Sequence, residues 1–326
     1  FETTLYTGDG GTKTISGLEF SPDWVWFKGR SAARTHHLYD TVRGVQKPIY
    51  TNLTNAEPTD TDALSSFNSD GWTMGGDSGG NANNETYVAW CWDAGSSTAS
   101  NTDGSITANV RANQSAGFSI VSYSGPGSSA TIGHGLNAEV EFIIAKNRSF
   151  SDPWAIYHVA TGANKLVYLD GSACSSVSGY WGSGPTSSVF GIGNYNGVAR
   201  SGNDFIAYCF APVAGFSHFT SFEGTGSSDP VFVHCGFRPA WILKKNIDTG
   251  STNWYIHDTA RDTFNVCDAE LKANSDAAEN TFTALDILSN GFAMRTSNSN
   301  HNGSGDTYIV AAFAENPFSS NGGLAR

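Results

Sequence analysis

The sequence has few charged residues and no long apolar run. Charged side chains make up 15% of its 326 residues, against roughly 25% in average soluble proteins, so solvent-facing polarity must come from Ser, Thr, Asn and Gly. The net charge is −12, and Lys and Arg form no cluster. Both features argue against nucleic acid and against an anionic membrane surface as partners. No run reaches 18 apolar residues, so we expect no transmembrane helix.

Cysteine is scarce and shows no pairing pattern. The five cysteines are an odd number without CxxC spacing, so we expect no disulfide framework and predict folding in a reducing cytosol. Cys91 and Cys209 lie inside apolar runs, as small core residues do. The sequence shows no signal peptide and starts at Phe1, and we expect it to be processed or cut from a longer product.

Helical periodicity is nearly absent as well. Short apolar runs rich in Trp, Tyr, Phe, Val and Ile are bounded by Gly, Asn, Asp and Ser. This pattern predicts an all-β sandwich or barrel. Asp70-Gly71 and Asn290-Gly291 each precede an aromatic residue and predict tight hairpins, because glycine adopts positive φ without strain.

The same order of segments occurs three times along the chain. Each unit opens with an aromatic residue and a Gly-rich turn, continues with an apolar run ending in lysine, and closes on an aromatic-rich run at 87–92, 205–210 or 308–313. The closing runs are apolar at nearly every position, as in strands buried on both faces. A unit of about 100 residues can bury its own core, so the repeat predicts three tandem β-sandwich modules arranged like beads.

The composition sets the predicted boundaries between these modules. We divide the chain into β-sandwich repeat 1 (1–95), a polar linker (96–115), β-sandwich repeat 2 (116–214), β-sandwich repeat 3 (215–318) and a tail (319–326). The linker is rich in Ser, Thr, Asn and Asp, whereas the second and third repeats join almost directly. This contrast predicts a compact pair and a more separable first unit.

One motif suggests an enzyme. Gly76-Asp77-Ser78-Gly79-Gly80 spells the nucleophile motif of chymotrypsin-like serine proteases. The histidines before it are His36 and His37, outside the context of that family, and the preceding chain is too short for its double barrel. We therefore interpret the motif as one version of a variable Gly/Asn loop.

The sequence gives no metal or cofactor site. Its eight histidines are dispersed, without HxxxH or HExxH spacing, which argues against a catalytic zinc. Asp60, Asp62 and Glu57 could bind calcium, but they lack EF-hand spacing, so a solvated acidic loop is the favoured interpretation.

Carboxylates for a glycosidase are present but not arranged as a repeated pair. The candidates are Asp23, Glu139, Glu141 and Glu223. None recurs in all three units with fixed neighbours, as a triplicated catalyst would. Asp40 and Asp258 do correspond, but the middle unit has His158 there, so we predict a turn or sheet-edge contact.

A lysine follows the apolar run of each unit. It is the charged residue that recurs most clearly in the three units, as Lys28, Lys146 and Lys244. We expect them to pair with aspartates of a neighbouring strand or to block edge-to-edge pairing.

The loops before the closing runs are the best candidates for ligand binding. Residues 75–84, 194–202 and 297–305 share one repeat position, differ in sequence and are rich in Asn, Gly and Ser. Variable loops on a rigid scaffold commonly carry binding sites, although flexible turns explain the pattern equally well. The candidate ligand-binding residues are Asn81, Asn83, Asn84, Tyr195, Asn196, Asn298, Asn300 and His301, with Tyr195 and His301 expected to be exposed.

Several segments carry a resemblance to a known family. They read VSYSG at 121–125, TIGHGL at 131–136, FIIAKNR at 142–148, WAIYH at 154–158, GLEFSPDWVWFK at 17–28 and GFRPAW at 236–241. The chain resembles a repeat family of tail-fibre and other virion proteins of tailed bacteriophages, whose units are concanavalin-like (lectin-type) β-sandwiches of jelly-roll type. The third unit departs from the first by having Asp262 where the first has Gly44.

The resemblance and the composition together predict a non-enzymatic virion surface protein, either a tail fibre or spike or a capsid decoration. It would be made in the host cytoplasm, contact other virion proteins, form a homo-oligomer such as a trimer, and bind host-surface glycans through its loops. The alternative is a virion enzyme, a polysaccharide-degrading or serine hydrolase. No catalytic residue follows from the resemblance.

Overall fold

The computed structural model describes residues 1–250 and 252–314. Its named strands all pair antiparallel, which confirms the all-β prediction. The predicted tail, 319–326, lies outside the described residues. No helix within the described part of the chain is long and apolar enough to cross a membrane.

Each unit contains a series of strands and a single-turn helix before its closing strand. Unit 1 (1–95) contains β1 (Glu2–Thr7), β2 (Lys13–Ser16), β3 (Trp24–Gly29), β4 (His37–Asp40), β5 (Ile49–Tyr50), β6 (Leu64–Asn68), β7 (Gly71–Met74), α1 (Ser78–Asn81) and β8 (Thr86–Trp92). Residues 96–115 contain β9 (Thr98–Asn101) and β10 (Ala108–Asn113).

Units 2 and 3 are built from a similar series of elements. Unit 2 (116–214) contains β11 (Phe118–Ser124), β12 (Ala130–Gly133), β13 (Phe142–Asn147), β14 (Ala155–His158), β15 (Lys165–Tyr168), β16 (Cys174–Ser176), β17 (Val189–Ile192), α2 (Asn196–Ala199) and β18 (Asp204–Phe210). Unit 3 (215–314) contains β19 (Ser217–Glu223), β20 (Val231–His234), β21 (Trp241–Asn246), β22 (Trp254–Asp258), β23 (Cys267–Lys272), β24 (Asn280–Leu288), β25 (Gly291–Met294), α3 (Ser299–Asn302) and β26 (Thr307–Phe313).

One strand order recurs in the main sheet of each unit. It is β1-β8-β3-β4-β5 in unit 1, β11-β18-β13-β14-β15 in unit 2 and β19-β26-β21-β22-β23 in unit 3. The register is equivalent too, since Trp24 pairs with Asp40, Phe142 with His158 and Trp241 with Asp258. This register defines corresponding positions in the three units. The prediction of jelly-roll or concanavalin-like topology stays a prediction.

The prediction of a polar linker at 96–115 is wrong. β10 pairs with β11 from Ala108 opposite Tyr123 to Asn113 opposite Phe118, and β9 extends the sheet as its outermost strand. Ala108 and Val110 are buried, while Asn109 between them is exposed. The polar composition therefore reflects the solvent-facing side of two strands at the margin of a sheet.

The inner faces of the three main sheets meet in one apolar core. It includes Trp24, Trp26, Trp90, Trp92, Phe142, Ile144, Tyr208, Phe210, Trp241, Leu243, Ile309 and Phe313, each at most 2% exposed. The Trp92 ring centroid lies 5.6 Å from those of Trp241 and Phe313 in unit 3, and 6.4 Å from that of Phe210 in unit 2. The units share a core, so neither the arrangement of separate beads nor the separable first unit is found.

Hydrogen bonds between the units run in a cycle. Trp154 of unit 2 donates to the Tyr50 carbonyl of unit 1 at 2.8 Å. At the corresponding position, Trp254 of unit 3 bonds the Tyr168 carbonyl of unit 2 at 2.7 Å. His36 of unit 1 closes the cycle with its Nε2 at 2.9 Å from the Lys272 carbonyl of unit 3. Three corresponding side chains thus join three corresponding carbonyls around the common core.

The position shared by Asp40, His158 and Asp258 also joins units. Tyr208 of unit 2 donates to Asp40 at 2.8 Å, and Trp90 of unit 1 donates to Asp258 at 3.0 Å. His158 Nε2 lies 3.1 Å from the Val310 carbonyl of unit 3. These side chains are buried, so the predicted turn contact is a contact between units in the interior.

The outer face of each main sheet packs beneath a second layer of strands and the single-turn helix. The cysteines Cys91 and Cys209 and the matching Ala312 lie in these outer layers, and all five cysteines are free. The hairpins predicted at Asp70-Gly71 and Asn290-Gly291 are the β6–β7 and β24–β25 hairpins. Glycine is needed there because a Cβ on Gly71 would lie 1.9 Å from a carbonyl oxygen of β2.

The repeated lysines are buried on central strands and do not block a sheet edge. Lys28 and Lys146 are completely buried, and their amines donate to the carbonyls of Gly29 and Asn147. The register shows that their counterpart is Lys245, which donates to Thr252, and not Lys244. Side chains alternate between the faces of a strand, so Lys244 points into the outer layer.

Burial of these lysines predicts a pH dependence of stability. Burial lowers the pKa of Lys146 from 10.5 to about 8, so the unfolded chain binds more protons between these values and this group's contribution to stability rises with pH. Between pH 8 and 9, the free energy of unfolding of Lys146→Met should therefore increase by about 1 kcal/mol less than that of the wild type. Urea titrations at both pH values, with Lys13→Met as the control, measure this. An unchanged pH dependence in Lys146→Met would contradict the prediction.

Candidate functional site

The outer layer of unit 3 differs chemically from the other two. At four corresponding positions unit 1 has Phe27, Tyr39, Pro48 and Gly80, and unit 2 has Ala145, Tyr157, Leu166 and Val198. Unit 3 has Lys244, His257, Glu270 and His301 there, all buried. Units 1 and 2 therefore form the same scaffold without these polar groups. Their presence in unit 3 therefore points to a role other than folding.

The four side chains form one contiguous cluster. The Lys244 amine lies 2.5 Å from His301 Nδ1, and His301 Nε2 lies 3.2 Å from Glu270 Oε2. His257 Nε2 is 3.9 Å from the same Glu270 oxygen. Phe282 stacks on the His301 ring with centroids 4.7 Å apart, and the Tyr255 ring centroid lies 4.3 Å from that of His301.

Burial dominates the electrostatics of this cluster. Desolvation lowers the pKa of Lys244 to about 7 and holds the pKa values of His257 and His301 well below the usual range for histidine. Desolvation also raises the pKa of Glu270, against the attraction of Lys244. The histidines are thus neutral, with lone pairs available as acceptors or metal ligands.

Part of the cluster has no hydrogen-bond partner. Both ring nitrogens of His257 and Oε2 of Glu270 lack one among the described residues, although they are completely shielded from solvent. An unsatisfied buried polar group costs about 1–3 kcal/mol. The three donors His257, Glu270 and His301 offer ligand atoms within 4.8 Å of one another.

A second candidate site lies on the surface of unit 2. A groove of about 250 Å³ is lined by Asp152, Pro153, Leu166, Tyr168, Val177, Tyr180, Tyr195, Asn196 and Gly197. Tyr195 is 36% exposed, and its ring stacks on that of Tyr180 with centroids 5.0 Å apart. Tyr195 is held in place because its hydroxyl donates to the Ser178 carbonyl at 2.7 Å. The groove therefore presents a fixed aromatic face to solvent.

Polar groups accompany this aromatic face. Tyr180, which is 4% exposed, also lines the groove, and its hydroxyl lies beside Gly197. Gly197 leaves it space, because a Cβ there would lie 2.5 Å from the Tyr180 oxygen. The Asp152 carboxylate accepts from Asn147 at 2.8 Å and pairs with Arg200 at 3.2 Å. Asn196 adds an exposed amide at the start of α2.

Two of the predicted loop residues are buried. His301 was expected to be exposed, but it is 2% exposed because the third residue of the helix turn points inward, as Gly80 and Val198 do. Asn81 is completely buried, and its side-chain amide donates to Asp9, Gly11 and Gly75. Asn81 is therefore a structural residue that holds the loops around α1, and it is not available to an external ligand.

The remaining loop candidates lie at or near the surface. Asn83 and Asn84 are exposed after α1, and Asn84 has φ of 62°. Asn298 caps α3 by accepting from the Asn300 amide at 2.9 Å. These residues lie in units 1 and 3, so the structure brings only Tyr195 and Asn196 of the predicted set into the unit 2 groove.

The other motifs have structural partners. Ser78 accepts from Arg34 at 3.5 Å, while His37 lies 3.4 Å from Asp77 and not in a hydrogen bond with Ser78 among the described contacts. Glu57, proposed with Asp60 and Asp62 for calcium, is bound by Arg148 at 2.9 Å and by Arg43.

The glycosidase candidates are dispersed. Asp23 is buried in unit 1 and pairs with Arg111 at 2.7 Å. Glu139 and Glu141 lie in unit 2, and Glu223 is exposed in unit 3. The structure thus gives each group a different environment.

Sequence reasoning missed Lys244, His257 and Glu270, and assigned His301 to the wrong environment. A signal was present in the sequence. When the three units are aligned by strand register, four polar residues of unit 3 fall at positions where units 1 and 2 have apolar ones. Searching for local metal motifs did not find the set, since its members lie on β21, β22, β23 and α3.

Comparison with known proteins identifies a family for the whole described fold. No curated protein matches the chain, and no solved structure matches it. One family model, described as a domain of unknown function (DUF7483), matches residues 1–317. This match spans all three units, and the chain therefore belongs to the DUF7483 family.

Proposed function

We propose that this protein is a non-enzymatic, carbohydrate-binding protein of a bacteriophage surface, and that its sugar site is the groove of unit 2. The observation that carries the proposal is the exposed Tyr195 ring, which is held by its hydroxyl and stacks on Tyr180 in the groove. An aromatic face packs against the apolar face of a sugar ring, and nearby hydroxyl, amide and carboxylate groups bind its hydroxyls.

The size and polarity of the groove favour a small, neutral glycan unit. The groove, at about 250 Å³, is smaller than the pockets of roughly 300–1,000 Å³ that hold drug-sized ligands. It mixes three tyrosines with the polar Asp152 and Asn196. The Arg200 guanidinium is already paired with Asp152 and lies 4.1 Å over the Phe150 ring. It therefore offers little to an anionic ligand.

The bacteriophage context comes from the sequence resemblance. A surface protein with one weak sugar site per chain gains avidity when several copies are displayed together. We therefore include homo-oligomerisation and contacts with other virion proteins in the proposal. A trimer of chains is not required to cover the main sheets, since three units already do so within one chain.

Replacing Tyr195 tests the site. Tyr195→Asn introduces the residue that unit 3 has at the helix start, Asn298, so the fold is expected to persist. We expect at least about a tenfold loss of affinity, because exposed tyrosines at binding sites often contribute more than 1 kcal/mol. Binding is measured on an array of bacterial envelope polysaccharides and then by calorimetry with the strongest oligosaccharide.

The control is Phe264→Ala, which removes an aromatic side chain that is 85% exposed in unit 3. It should leave binding unchanged. Equal binding by the wild type and Tyr195→Asn would reject the groove as the site. Release of sugar or peptide from the polysaccharide by the wild type would favour the alternative of a virion enzyme.

A further inference from the structure

The buried cluster in unit 3 has the donor set of a metal site. We propose that His257, Glu270 and His301 bind one divalent transition-metal ion of the zinc class, which ties β22, β23 and α3 together. This inference does not depend on carbohydrate binding, since the cluster and the groove lie in different units.

The spacing of the donors fits such an ion. Glu270 Oε2 lies 3.2 Å from His301 Nε2 and 3.9 Å from His257 Nε2, and all three ligand atoms lie within 4.8 Å of one another. Ligands about 2.0–2.2 Å from a tetrahedral zinc ion are about 3.5 Å apart. Side-chain adjustments of about 1 Å or less would bring the donors to that geometry.

The unsatisfied groups point toward a ligand. His257 is completely buried and neither of its ring nitrogens has a hydrogen-bond partner within the described residues. Oε2 of Glu270 likewise makes no hydrogen bond, although His301 Nε2 lies 3.2 Å from it. A cation between these groups would satisfy His257 and Glu270 together, which no protein group in the described structure does.

The donor types select the class of metal. Two imidazoles and one carboxylate suit zinc and neighbouring first-row ions, whereas calcium and magnesium prefer sites made of oxygen ligands. The Lys244 amine lies 2.5 Å from His301 Nδ1, which leaves Nε2 as the His301 ring nitrogen that faces Glu270.

The other units supply matched replacements for each ligand. His257→Tyr, Glu270→Leu and His301→Val install the residues Tyr157, Leu166 and Val198 of unit 2, where the same layer packs as an apolar core. These variants should fold and should lack the metal site. His234→Gln, which alters an exposed histidine outside the cluster, is the control.

The experiment uses the full chain, stripped with a chelator and dialysed against zinc chloride. Elemental mass spectrometry should find one zinc per chain for the wild type and His234→Gln, and less than about a tenth of that for the three cluster variants. Zinc about 100-fold above Kd should raise the wild-type Tm by about 4 °C. Cobalt chloride should give a visible absorption band in the wild type and none in His257→Tyr.

Two results would overturn the proposal. One is a wild-type chain that retains no zinc and whose Tm does not respond, as expected if Lys244, His301 and Glu270 form only a salt-linked chain. The other is unchanged zinc content in the cluster variants. Circular dichroism checks that each variant is folded. If one is not, Glu270→Gln replaces it, because it keeps the shape of the side chain. The zinc affinity of Glu270→Gln should be at least about tenfold lower than that of the wild type.

Discussion

Trp92→Ala is expected to destabilise all three units together, by about 3–5 kcal/mol. Trp92 is 2% exposed and contacts aromatic rings of units 1, 2 and 3, including Trp24 at 4.5 Å and Trp241 at 5.6 Å. Removing the indole leaves a cavity at the point where the three main sheets meet. Because the units share this core, we expect one cooperative unfolding transition shifted to lower urea concentration.

The corresponding residues of the other units give the control. Phe210 and Phe313 occupy the position of Trp92, so Trp92→Phe should be tolerated much better than Trp92→Ala. It also removes a buried indole nitrogen that has no hydrogen-bond partner among the described residues. Urea unfolding followed by tryptophan fluorescence and by far-UV circular dichroism measures both variants. Separate transitions for one unit and for the other two would show that the units unfold independently.

The strands of this fold could be predicted from sequence because their signals are local. The closing runs at 87–92, 205–210 and 308–313 are strands β8, β18 and β26 almost residue for residue. Their apolar residues at nearly every position predicted burial on both faces, and the structure places one face in the common core and the other in an outer layer. The pattern does not say which sheets those faces meet, so the common core was not predicted.

Residues 96–115 show how composition alone misleads. β9 and β10 lie at the margin of a sheet, where one face is solvated, and few apolar residues suffice to hold them. Ser, Thr and Asn on the solvated face resemble a linker in composition. The alternation of Ala108 and Val110 with polar residues was the available signal.

Lys244 of the buried cluster was assigned to the wrong position through a shift of one residue. Matching Lys244 to Lys28 and Lys146 made the lysine seem to be a conserved element of the scaffold, whereas the register matches Lys245 to them. A shift of one residue moves a side chain to the other face of its strand. With the correct register, Lys244 corresponds to Phe27 and Ala145, and a buried charge in an apolar layer becomes evident.

The common core and the outer layers differ in how far their residues correspond among the three units. The common core and the cyclic contacts between units use corresponding positions in all three units. The outer layers differ, with an open tyrosine groove in unit 2 and a buried polar cluster in unit 3. Both proposed activities therefore lie where a change of side chains leaves the shared core intact.

The second large effect on stability is expected from a substitution at the contact between units 1 and 2. Arg43→Ala is expected to reduce the free energy of unfolding by about 3–5 kcal/mol, because it leaves buried charge without its partner. The Arg43 guanidinium donates to Asp40, to Glu57 at 3.0 Å and to two backbone carbonyls. Asp40 and Glu57 in turn bind Tyr208 and Arg148 of unit 2.

The same arrangement recurs between units 3 and 1, where Arg261 binds Asp258 at 2.6 Å and shares Glu279 with Arg30. Arg261→Ala should therefore cost a similar amount. An exposed pair provides the contrast, since the Arg295 side chain that binds Asp286 is 45% exposed, and Arg295→Ala should cost less than about 1 kcal/mol. Urea titrations that gave equal, small losses for Arg43→Ala and Arg295→Ala would show that these networks do not hold the units together. A large loss for both buried arginines would show instead that each interface stabilises the whole chain, as a common core requires.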